Sequence, residues 1–169
     1  MLSKIIRVNF VRYIYKGFSN LNAFIVDKVL SSIRFRALVK NSGKKSHCHY
    51  SVEIKYGENI TIGDYTRIGS NSTLGAMETI HIGSHVVISK EVFIETAGLD
   101  FKSHTFPYKH KGKKIVIHDN VWIGARAMIL GGVEIGKNSV IGAGVVVSKS
   151  VPENSVVVGQ QPRIMDIRH

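Results

Sequence analysis

The chain has one cysteine and no long run of uncharged apolar residues, and each absence narrows the class of protein. Cys48 has no second cysteine with which to form an internal disulfide, so the sequence favours a reducing, cytoplasmic compartment. No metal-ligand pattern surrounds Cys48, which predicts a small buried apolar residue rather than a nucleophile. Charges such as Arg7, Arg12 and Lys16 break the apolar stretches near the N-terminus, so none reaches the roughly 18 residues of a membrane-spanning helix.

Acidic residues are also scarce in the first part of the chain. Residues 1–45 contain ten Lys or Arg and a single acidic residue, Asp27, whereas residues 46–169 contain thirteen basic and eleven acidic residues. The net charge of +11 therefore comes almost entirely from the N-terminal segment. Because no nucleic-acid-binding motif accompanies this charge, we predict no nucleic-acid partner.

The N-terminal segment, residues 1–45, is basic and apolar together, which predicts an amphipathic helical segment. Gly17 separates two short predicted helices, about 3–16 and 20–35. These helices have two open interpretations. Either they cover one end of the body, or residues 1–35 lie peripherally on the anionic inner face of a membrane, with aromatic side chains among the headgroups.

An aliphatic residue recurs every six positions through most of the chain. Within three blocks the spacing holds without exception: Ile62, Ile68, Leu74; Ile82, Ile88, Ile94; and Ile117, Ile123, Ile129, Ile135, Ile141, Val147. A second series with predicted inward side chains lies two positions earlier: Ile60, Thr66, Ser72, Ile80, Val86, Val92, Ile115, Val121, Ala127, Val133, Ser139 and Val145. A period of six fits neither an α-helix nor a simple alternating strand, but it fits a short strand followed by a corner.

Three such sides make one coil of about eighteen residues, and successive coils stack about 4.8 Å apart. Since no coil buries its own apolar face, stability comes from the stacking of neighbouring coils. The sequence therefore predicts an all-β solenoid, a parallel β-helix, over residues 46–160, with a C-terminal tail at 161–169. Frequent Gly, Asn and Asp near the corners are expected to supply the backbone conformations that corners need.

Two interruptions break the repeat. Residues 76–79 shift the register by two positions, which predicts a small corner insertion. Residues 98–114 do not hold the inward pattern at all, so they predict a loop that projects from the solenoid. Projecting loops are where solenoid proteins carry function.

The second half of the chain carries a specific resemblance. The stretch IVIHDNVWIGARAMILGGVEIGKNSVIGAGVVVSKSVPENSVVVGQQPRI resembles the C-terminal half of the galactoside, maltose, streptogramin and capsule-sugar O-acetyltransferases of the hexapeptide-repeat acyltransferase family. The resemblance covers about residues 50–165. It implies a left-handed parallel β-helix, a homotrimer, and acetyl-CoA as co-substrate in a groove between neighbouring subunits.

The same resemblance implies a set of cofactor-binding residues. Four would line the channel for the pantetheine arm: Gly124, Ala125, Gly142 and Ala143. Three would lie near the nucleotide and phosphates of CoA: Ser148, Lys149 and Arg163. Trp122, which replaces an outward-facing repeat residue, is expected to form a wall of the groove. We predict no metal ligands.

Acetyl transfer to a sugar hydroxyl needs a general base, and histidine has a suitable pKa. By the resemblance, Leu99 stands where relatives carry their catalytic histidine, and a leucine accepts no proton. The catalytic candidates are therefore two other histidines of the loop, His104 first and His110 second. Asp100 or Glu95 would orient the imidazole. Backbone N–H groups would stabilise the oxyanion that develops on the thioester carbonyl.

The function that these residues predict is acetyl transfer from acetyl-CoA to a saccharide hydroxyl, in the synthesis of capsule, lipopolysaccharide or another envelope polysaccharide. N-acetylation of a nucleotide-linked amino sugar uses the same scaffold and stays open. Leu99 motivates a third interpretation, a trimeric scaffold without catalysis. A carbonic-anhydrase-like zinc protein is a fourth, but it needs three histidines around an open metal position.

Overall fold

The computed structural model describes residues 31–102 and 106–159. The predicted helix 3–16, most of the predicted helix 20–35 and the tail 161–169 lie outside the described residues. The described helices are α1 (Ser31–Leu38) and a 3₁₀ helix (Gly57–Asn59). The strands are β1 (Asn41–Ser42), β2 (His47–Cys48), β3 (Glu53–Lys55), β4 (Ile60–Ile62), β5 (Arg67–Ile68), β6 (Thr73–Gly75), β7 (Ile80–Ile82), β8 (Val87–Ile88), β9 (Phe93–Glu95), β10 (Ala97–Leu99), β11 (His110–Gly112), β12 (Ile115–Ile117), β13 (Trp122–Ile123), β14 (Met128–Leu130), β15 (Glu134–Ile135), β16 (Val140–Ile141), β17 (Val146–Val147) and β18 (Val156–Val157).

Three parallel sheets form the body. Sheet A has the order β1-β4-β7-β12-β15, sheet B the order β18-β16-β13-β8-β5-β2, and sheet C the order β17-β14-β9-β6-β3. From β1 to β9 and from β12 to β17, consecutive strands visit sheets A, B and C in turn, so each set of three makes one coil. This confirms the predicted β-solenoid of parallel strands.

The core is a stack of inward side chains, and both predicted inward series are buried. Every residue of the two series is at most 6% exposed. The polar members bond to backbone in the next coil: the Thr66 hydroxyl donates to the Gly83 carbonyl at 2.8 Å and accepts from the Val86 N–H at 3.1 Å. A polar residue is therefore tolerated inside the stack where its hydroxyl has partners on both sides.

Register between strands gives the length of each coil. Ile60 pairs with Ile80, twenty residues later. Ile80 pairs with Ile115, thirty-five residues later, because the projecting loop lies between them. Val116 then pairs with Glu134, eighteen residues later, which is the coil length that the repeat predicts. The two extra residues of the earlier coils lie at the corner between sheets C and A, where the insertion at 76–79 was predicted.

Most glycines at the corners serve close stacking, and this corrects the expected reason for them. A Cβ on Gly63 would lie 2.6 Å from the Gly83 carbonyl carbon, and one on Gly83 would lie 2.4 Å from Asp119 Oδ1. Among the described glycines only Gly132 and Gly144 have positive φ. The left-handed corner positions are instead held by Lys45, Tyr56, Tyr65, Asn71, His85, Glu91, Asn120, Arg126, Asn138 and Asn154.

Helix α1 covers the first coil of the solenoid. Phe35 is 1% exposed and Val39 6% exposed, and both belong to the same core as the inward stack. The Arg34 guanidinium donates to the Tyr50 carbonyl at 2.6 Å, which ties the helix to the corner after β2. The described end of the N-terminal segment therefore packs on the body. No helix among the described residues is long and apolar enough to cross a membrane.

The boundary predicted at residue 46 is too late in the chain. Strand β1 (Asn41–Ser42) pairs with β4 in sheet A, so residues 41–45 belong to the first coil and not to a helical segment. The helix also continues to Leu38 instead of ending at 35. The physical reason is that the first coil needs a sheet A strand to stack beneath β4.

Candidate functional site

A column of small residues runs along the outward face of sheet B. Its members follow strands β5, β8, β13 and β16, and successive backbones are linked by hydrogen bonds: Gly69, Ser89, Gly124 and Gly142. The Ser89 N–H donates to the Ile123 carbonyl, and the Gly124 N–H to the Ile141 carbonyl. We call this set the small-residue column. It leaves a strip of backbone on this face that large side chains do not cover.

Two alanines stand at the corner beside this column. Ala125 and Ala143 follow Gly124 and Gly142, and the Gly144 N–H donates to the Ala125 carbonyl at 2.9 Å. Gly124 has no room for a side chain, because a Cβ there would lie 2.6 Å from the Ala143 nitrogen. Within residues 31–102 and 106–159, neither the Ala125 N–H nor the Ala143 N–H donates a hydrogen bond. These two amides are therefore available to an external acceptor.

Trp122 lies on the outward face of sheet B, two residues before Gly124. Its side chain is 56% exposed, and its expected role as a groove wall stays a prediction. Its indole Nε1–H donates to the Ser89 hydroxyl at 3.3 Å, so the ring reaches from its own coil to the coil before it. The indole thus borders the small-residue column at its centre.

The structure does not bring all the predicted cofactor residues together within one chain. Ser148 and Lys149 are exposed and follow β17, at the opposite end of that strand from Ala143. Arg163 lies outside the described residues. Gly124, Ala125, Gly142 and Ala143 form one continuous surface, whereas Ser148 and Lys149 occupy another corner of the solenoid.

The projecting loop leaves the solenoid as an antiparallel hairpin of β10 and β11. In its register Leu99 is the partner of His110, and Gly98 is the partner of Lys111. The Asp100 N–H donates to the Lys109 carbonyl at 2.9 Å, and Asp100 Oδ1 accepts from the Lys102 N–H at 3.2 Å. Asp100 therefore helps to hold the turn. His104 lies outside the described residues.

Acidic side chains hold the base of the hairpin. Glu95 Oε1 accepts from the Ala97 N–H at 2.9 Å, and the Glu95 carboxylate lies where a side chain on Gly75 would be. The Glu78 side chain occupies the equivalent space above Gly112. Glu95 is thus engaged in structure, and none of its hydrogen bonds to the described residues reaches a histidine.

An exposed ion pair joins Arg126, which follows Ala125, to Glu91 at the corresponding corner position one coil earlier. Arg126 Nε donates to Glu91 Oε2 at 2.5 Å. This hydrogen bond, and the positive charge of Arg126, lower the pKa of the Glu91 carboxyl. Glu91 therefore keeps its charge and its partner to lower pH than an isolated glutamate.

Two clusters were not found from the sequence. One is a groove of about 380 Å³ at the start of sheet B, lined by His47, His49, Arg67, Ile68, Gly69, Ser70, Val87 and Ile88. The other is a His118–Glu134 pair, 2.7 Å apart, in a shallow pocket near the C-terminal coils. Six-residue spacing continued upstream of Ile60, with one more two-residue insertion at the corner, would have placed His47 and Arg67 on one face. No cluster of three or more metal-ligating side chains occurs in the described part of the chain.

Comparisons with known proteins agree on one kind of protein. The family model described as bacterial transferase hexapeptide (six repeats) matches residues 114–149, and that of the hexapeptide repeat of succinyl-transferase matches residues 59–94. A hexapeptide-repeat acetyltransferase from Vibrio cholerae, solved with acetyl coenzyme A, has a TM-score of 0.72 and 31% identity. The match covers 81% of this chain and 78% of that one.

Curated relatives match over a shorter share of their length. The galactoside O-acetyltransferase of Lactococcus lactis is 40% identical over 107 residues, which cover 61% of this chain and 50% of the relative. The putative colanic acid biosynthesis acetyltransferase WcaF of Escherichia coli is 35% identical over 117 residues, covering 69% and 63%. The chain thus spans about half the length of the Lactococcus relative.

Proposed function

Since this chain belongs to the hexapeptide-repeat acetyltransferase family, we propose that it transfers an acetyl group from acetyl-CoA to a hydroxyl of a saccharide. The Vibrio cholerae relative is solved with acetyl coenzyme A, and curated relatives bear the names of galactoside and colanic acid acetyltransferases. These names support acetyl-CoA as co-substrate and envelope polysaccharide synthesis as the context.

The observation that carries this proposal is the pair of available amides at Ala125 and Ala143. Each N–H lies at a corner without a partner among the described residues, and each side chain is only a methyl group. The amide carbonyl oxygens of a pantetheine arm are suitably spaced to accept hydrogen bonds from this surface. A corner N–H can also donate to the oxyanion that forms during acetyl transfer. The corner surface that Ala125 and Ala143 form ends at Lys90. This residue lies at the same corner one coil earlier and has a long side chain.

The chemistry needs one proton transfer and no enzyme nucleophile. A histidine takes the proton of the sugar hydroxyl as its oxygen attacks the thioester carbonyl. Backbone N–H groups stabilise the negative charge on the former carbonyl oxygen. The C–S bond then breaks, CoA leaves as the thiol after receiving the proton, and the acetyl ester remains on the sugar.

We propose His110 as that base. By family resemblance Leu99 stands at the position of the catalytic histidine, and the hairpin places His110 directly opposite Leu99. Register partners in an antiparallel pair have Cβ atoms about 4.5–5.5 Å apart on the same face. An imidazole on β11 therefore emerges beside the place where relatives carry it on β10. His104 is the second candidate for the base.

Isotope transfer tests the function. Protein is incubated with acetyl-CoA labelled in the acetyl group and a panel of neutral sugars, uronic acids, sugar phosphates and nucleotide-linked amino sugars. We expect label on a hydroxyl, and we expect Ala125→Leu and Ala143→Leu to raise the KM for acetyl-CoA about tenfold or more by covering the corner amides. Ala37→Leu, on the exposed side of α1, is the matched control.

The outcomes separate the candidate functions. Label on an amine only would make the protein an N-acetyltransferase. Acetyl-CoA binding without transfer to any acceptor would make it a scaffold, and the proposal would then be wrong.

We also propose a homotrimer, in which each cofactor groove is completed by a neighbouring subunit. Exposed apolar side chains on the outward faces of sheets B and C support contact with another copy: Trp122, Met128, Val146, Val156 and Val158. Closed rings are the usual product of such head-to-tail contacts. Light scattering should give about 56 kDa, three times the 18.7 kDa of one chain, and a monomer would contradict the shared groove.

A further proposal places the protein in the cytoplasm with peripheral contact to anionic membrane through residues 1–35. The excess of basic residues in the N-terminal segment supports it. Deletion of residues 1–30 should abolish sedimentation with anionic vesicles and leave acetyl transfer intact. Unchanged vesicle binding would contradict the membrane interpretation.

A further inference from the structure

The groove at the start of sheet B is continuous with the proposed acetyl-CoA surface. Gly69, in this groove, belongs to the small-residue column that contains Ser89 and Gly124. Neighbouring strands of a sheet lie about 4.8 Å apart, so Gly69 is two strands, or about 10 Å, from Gly124. A ligand in the groove would therefore lie on the same face as the amides of the corner surface, and within reach of an acetyl group delivered along it.

The groove contains several hydrogen-bond donors. His47 and Arg67 are register partners on β2 and β5, both are exposed, and the Arg67 guanidinium carries five N–H donors. No ion pair or hydrogen bond joins the Arg67 side chain to another described residue. No described residue therefore neutralises its charge, and Arg67 lines the groove.

His49 is fixed as a donor too. The Ser51 backbone N–H donates to His49 Nδ1 at 3.2 Å, and the Ser51 hydroxyl lies 2.8 Å from the same nitrogen. Because Nδ1 accepts from Ser51, the neutral ring carries its proton on Nε2. The Nε2–H of the neutral imidazole is then a donor and not a base, so proton abstraction is left to another histidine.

No carboxylate lines the groove to neutralise these donors. The acid at the adjacent corner is Glu91, whose backbone N–H donates to the Ser70 carbonyl. Its carboxylate is bound by Arg126, so it faces a partner of its own. A groove with a guanidinium and imidazole N–H groups and without acids is complementary to an anion.

We infer that this groove binds a negatively charged group of the acceptor, so that the substrate is an anionic saccharide. The shared chemistry is a carboxylate or a phosphate held by Arg67, with its register partner His47 beside it. The volume of about 380 Å³ is in the range of small-molecule sites, and the apolar Val87 and Ile88 beside the donors suit the carbon face of a sugar ring. The identification of the ligand as the acceptor rests on the proposed function, whereas anion binding itself does not.

Calorimetric titration of the full chain tests the inference with three probes of similar ring size. Methyl glucoside is neutral, methyl glucuronide carries a carboxylate, and glucose 1-phosphate carries a phosphate. We expect one or both anionic probes to bind about tenfold tighter than the neutral probe, as charge-assisted hydrogen bonds allow. The anionic probe that binds more tightly shows whether the groove prefers a uronic acid or a sugar phosphate.

Two variants assign the effect to the groove. Arg67→Gln should remove the preference for anions, and Arg36→Gln, which removes the same charge from exposed helix α1, should keep it. Arg67→Lys should retain part of the preference, because it keeps the charge and loses the planar fork. Equal binding of all three probes, no binding of any in the millimolar range, or an unchanged preference in Arg67→Gln would overturn the inference.

Failure of the proposed function has a different signature. Anion binding that depends on Arg67, together with an absence of acetyl transfer, would contradict the enzymatic proposal alone. Efficient acetyl transfer to neutral sugars, without any preference for anions, would contradict only the inference that the acceptor is anionic.

Discussion

Leu99 and His110 are register partners in the β10–β11 hairpin, so their side chains leave the same face of the loop. Leu99 is 44% exposed and His110 is also exposed, which places both at the surface of the projecting loop. The imidazole of His110 thus stands on β11, opposite the β10 position at which the family resemblance implies the catalytic histidine. A base can be kept at one place in space while its position in the sequence moves by eleven residues.

This relationship predicts the effect of removing each loop histidine. His110→Ala should lower kcat about a hundredfold or more, the usual contribution of a general base, while the KM for acetyl-CoA changes little. Steady-state acetyl transfer measures both parameters. Lys111→Ala is the matched control, because its side chain lies on the other face of the same strand.

A rescue experiment makes the same prediction sharper. Leu99→His in the His110→Ala background should restore a large part of kcat, since it returns an imidazole to the same face of the hairpin. A loss of activity in His104→Ala, with normal turnover in His110→Ala, would transfer the role of base to His104.

Lys149 provides a second functional prediction. If its ammonium group binds a phosphate of CoA, Lys149→Ala should weaken acetyl-CoA binding about tenfold and leave kcat at saturating acetyl-CoA unchanged. The effect should shrink at high ionic strength, because Lys149 is exposed. Lys44→Ala, another exposed lysine at a corner of the first coil, should leave the affinity unchanged.

The solenoid could be predicted from sequence because its core depends on one short, repeated rule. Every predicted inward residue from Ile60 to Val147 is buried. The rule is harder to see before Ile60, since a two-residue insertion shifts the register there and Ser46 and Cys48 give no aliphatic signal, although both are buried. The sequence therefore placed residues 41–45, which contain the sheet A strand of the first coil, in the N-terminal segment.

The candidate site was predictable only in part. Gly124, Ala125, Gly142 and Ala143 carry a family motif within the regular repeat, so their positions followed once the fold was known. The pairing of Leu99 with His110 depends on hairpin register, which hexapeptide spacing does not determine. The Arg67 groove depends on two strands that meet across twenty residues, and its donors have no motif of their own.

Burial should make Cys48 unreactive in the folded protein. The thiol is 2% exposed, and burial raises its pKa from 9.0 to about 11. Thiolate is the reactive form, so modification by a disulfide reagent at pH 8 should be orders of magnitude slower in the native state than in denaturant. Fast labelling of native protein would contradict the packing of the first coil.

The same shift has a consequence for stability. Because the pKa of Cys48 is raised on folding, its contribution to stability is fully present below about pH 9. It is lost as the pH rises from 9 toward 11, since the unfolded chain releases the proton first. Thermal unfolding midpoints should fall across this window in the wild type, and less steeply in Cys48→Ala.

Close coil stacking predicts that some glycines tolerate no side chain at all. A Cβ on Gly83 would lie 2.4 Å from Asp119 Oδ1, 2.8 Å from the Asp119 nitrogen and 2.9 Å from the His118 carbonyl carbon. Two of these atoms are backbone, and the Gly83 N–H is held by the Ile117 carbonyl at 2.7 Å, so neither coil can move away freely. Gly83→Ala should therefore destabilise the fold by about 1–3 kcal/mol, the usual cost of overpacking.

Gly98 supplies the control for Gly83, because both glycines have ordinary φ values and differ in the space around them. The nearest atom to a Cβ on Gly98 is the Lys111 carbonyl oxygen at 3.5 Å, an ordinary contact. Gly98→Ala should leave the thermal midpoint unchanged or raise it slightly, since alanine lowers the backbone entropy of the unfolded chain. Equal midpoints for Gly83→Ala and the wild type would mean that the coils separate more easily than their hydrogen-bonded stacking implies.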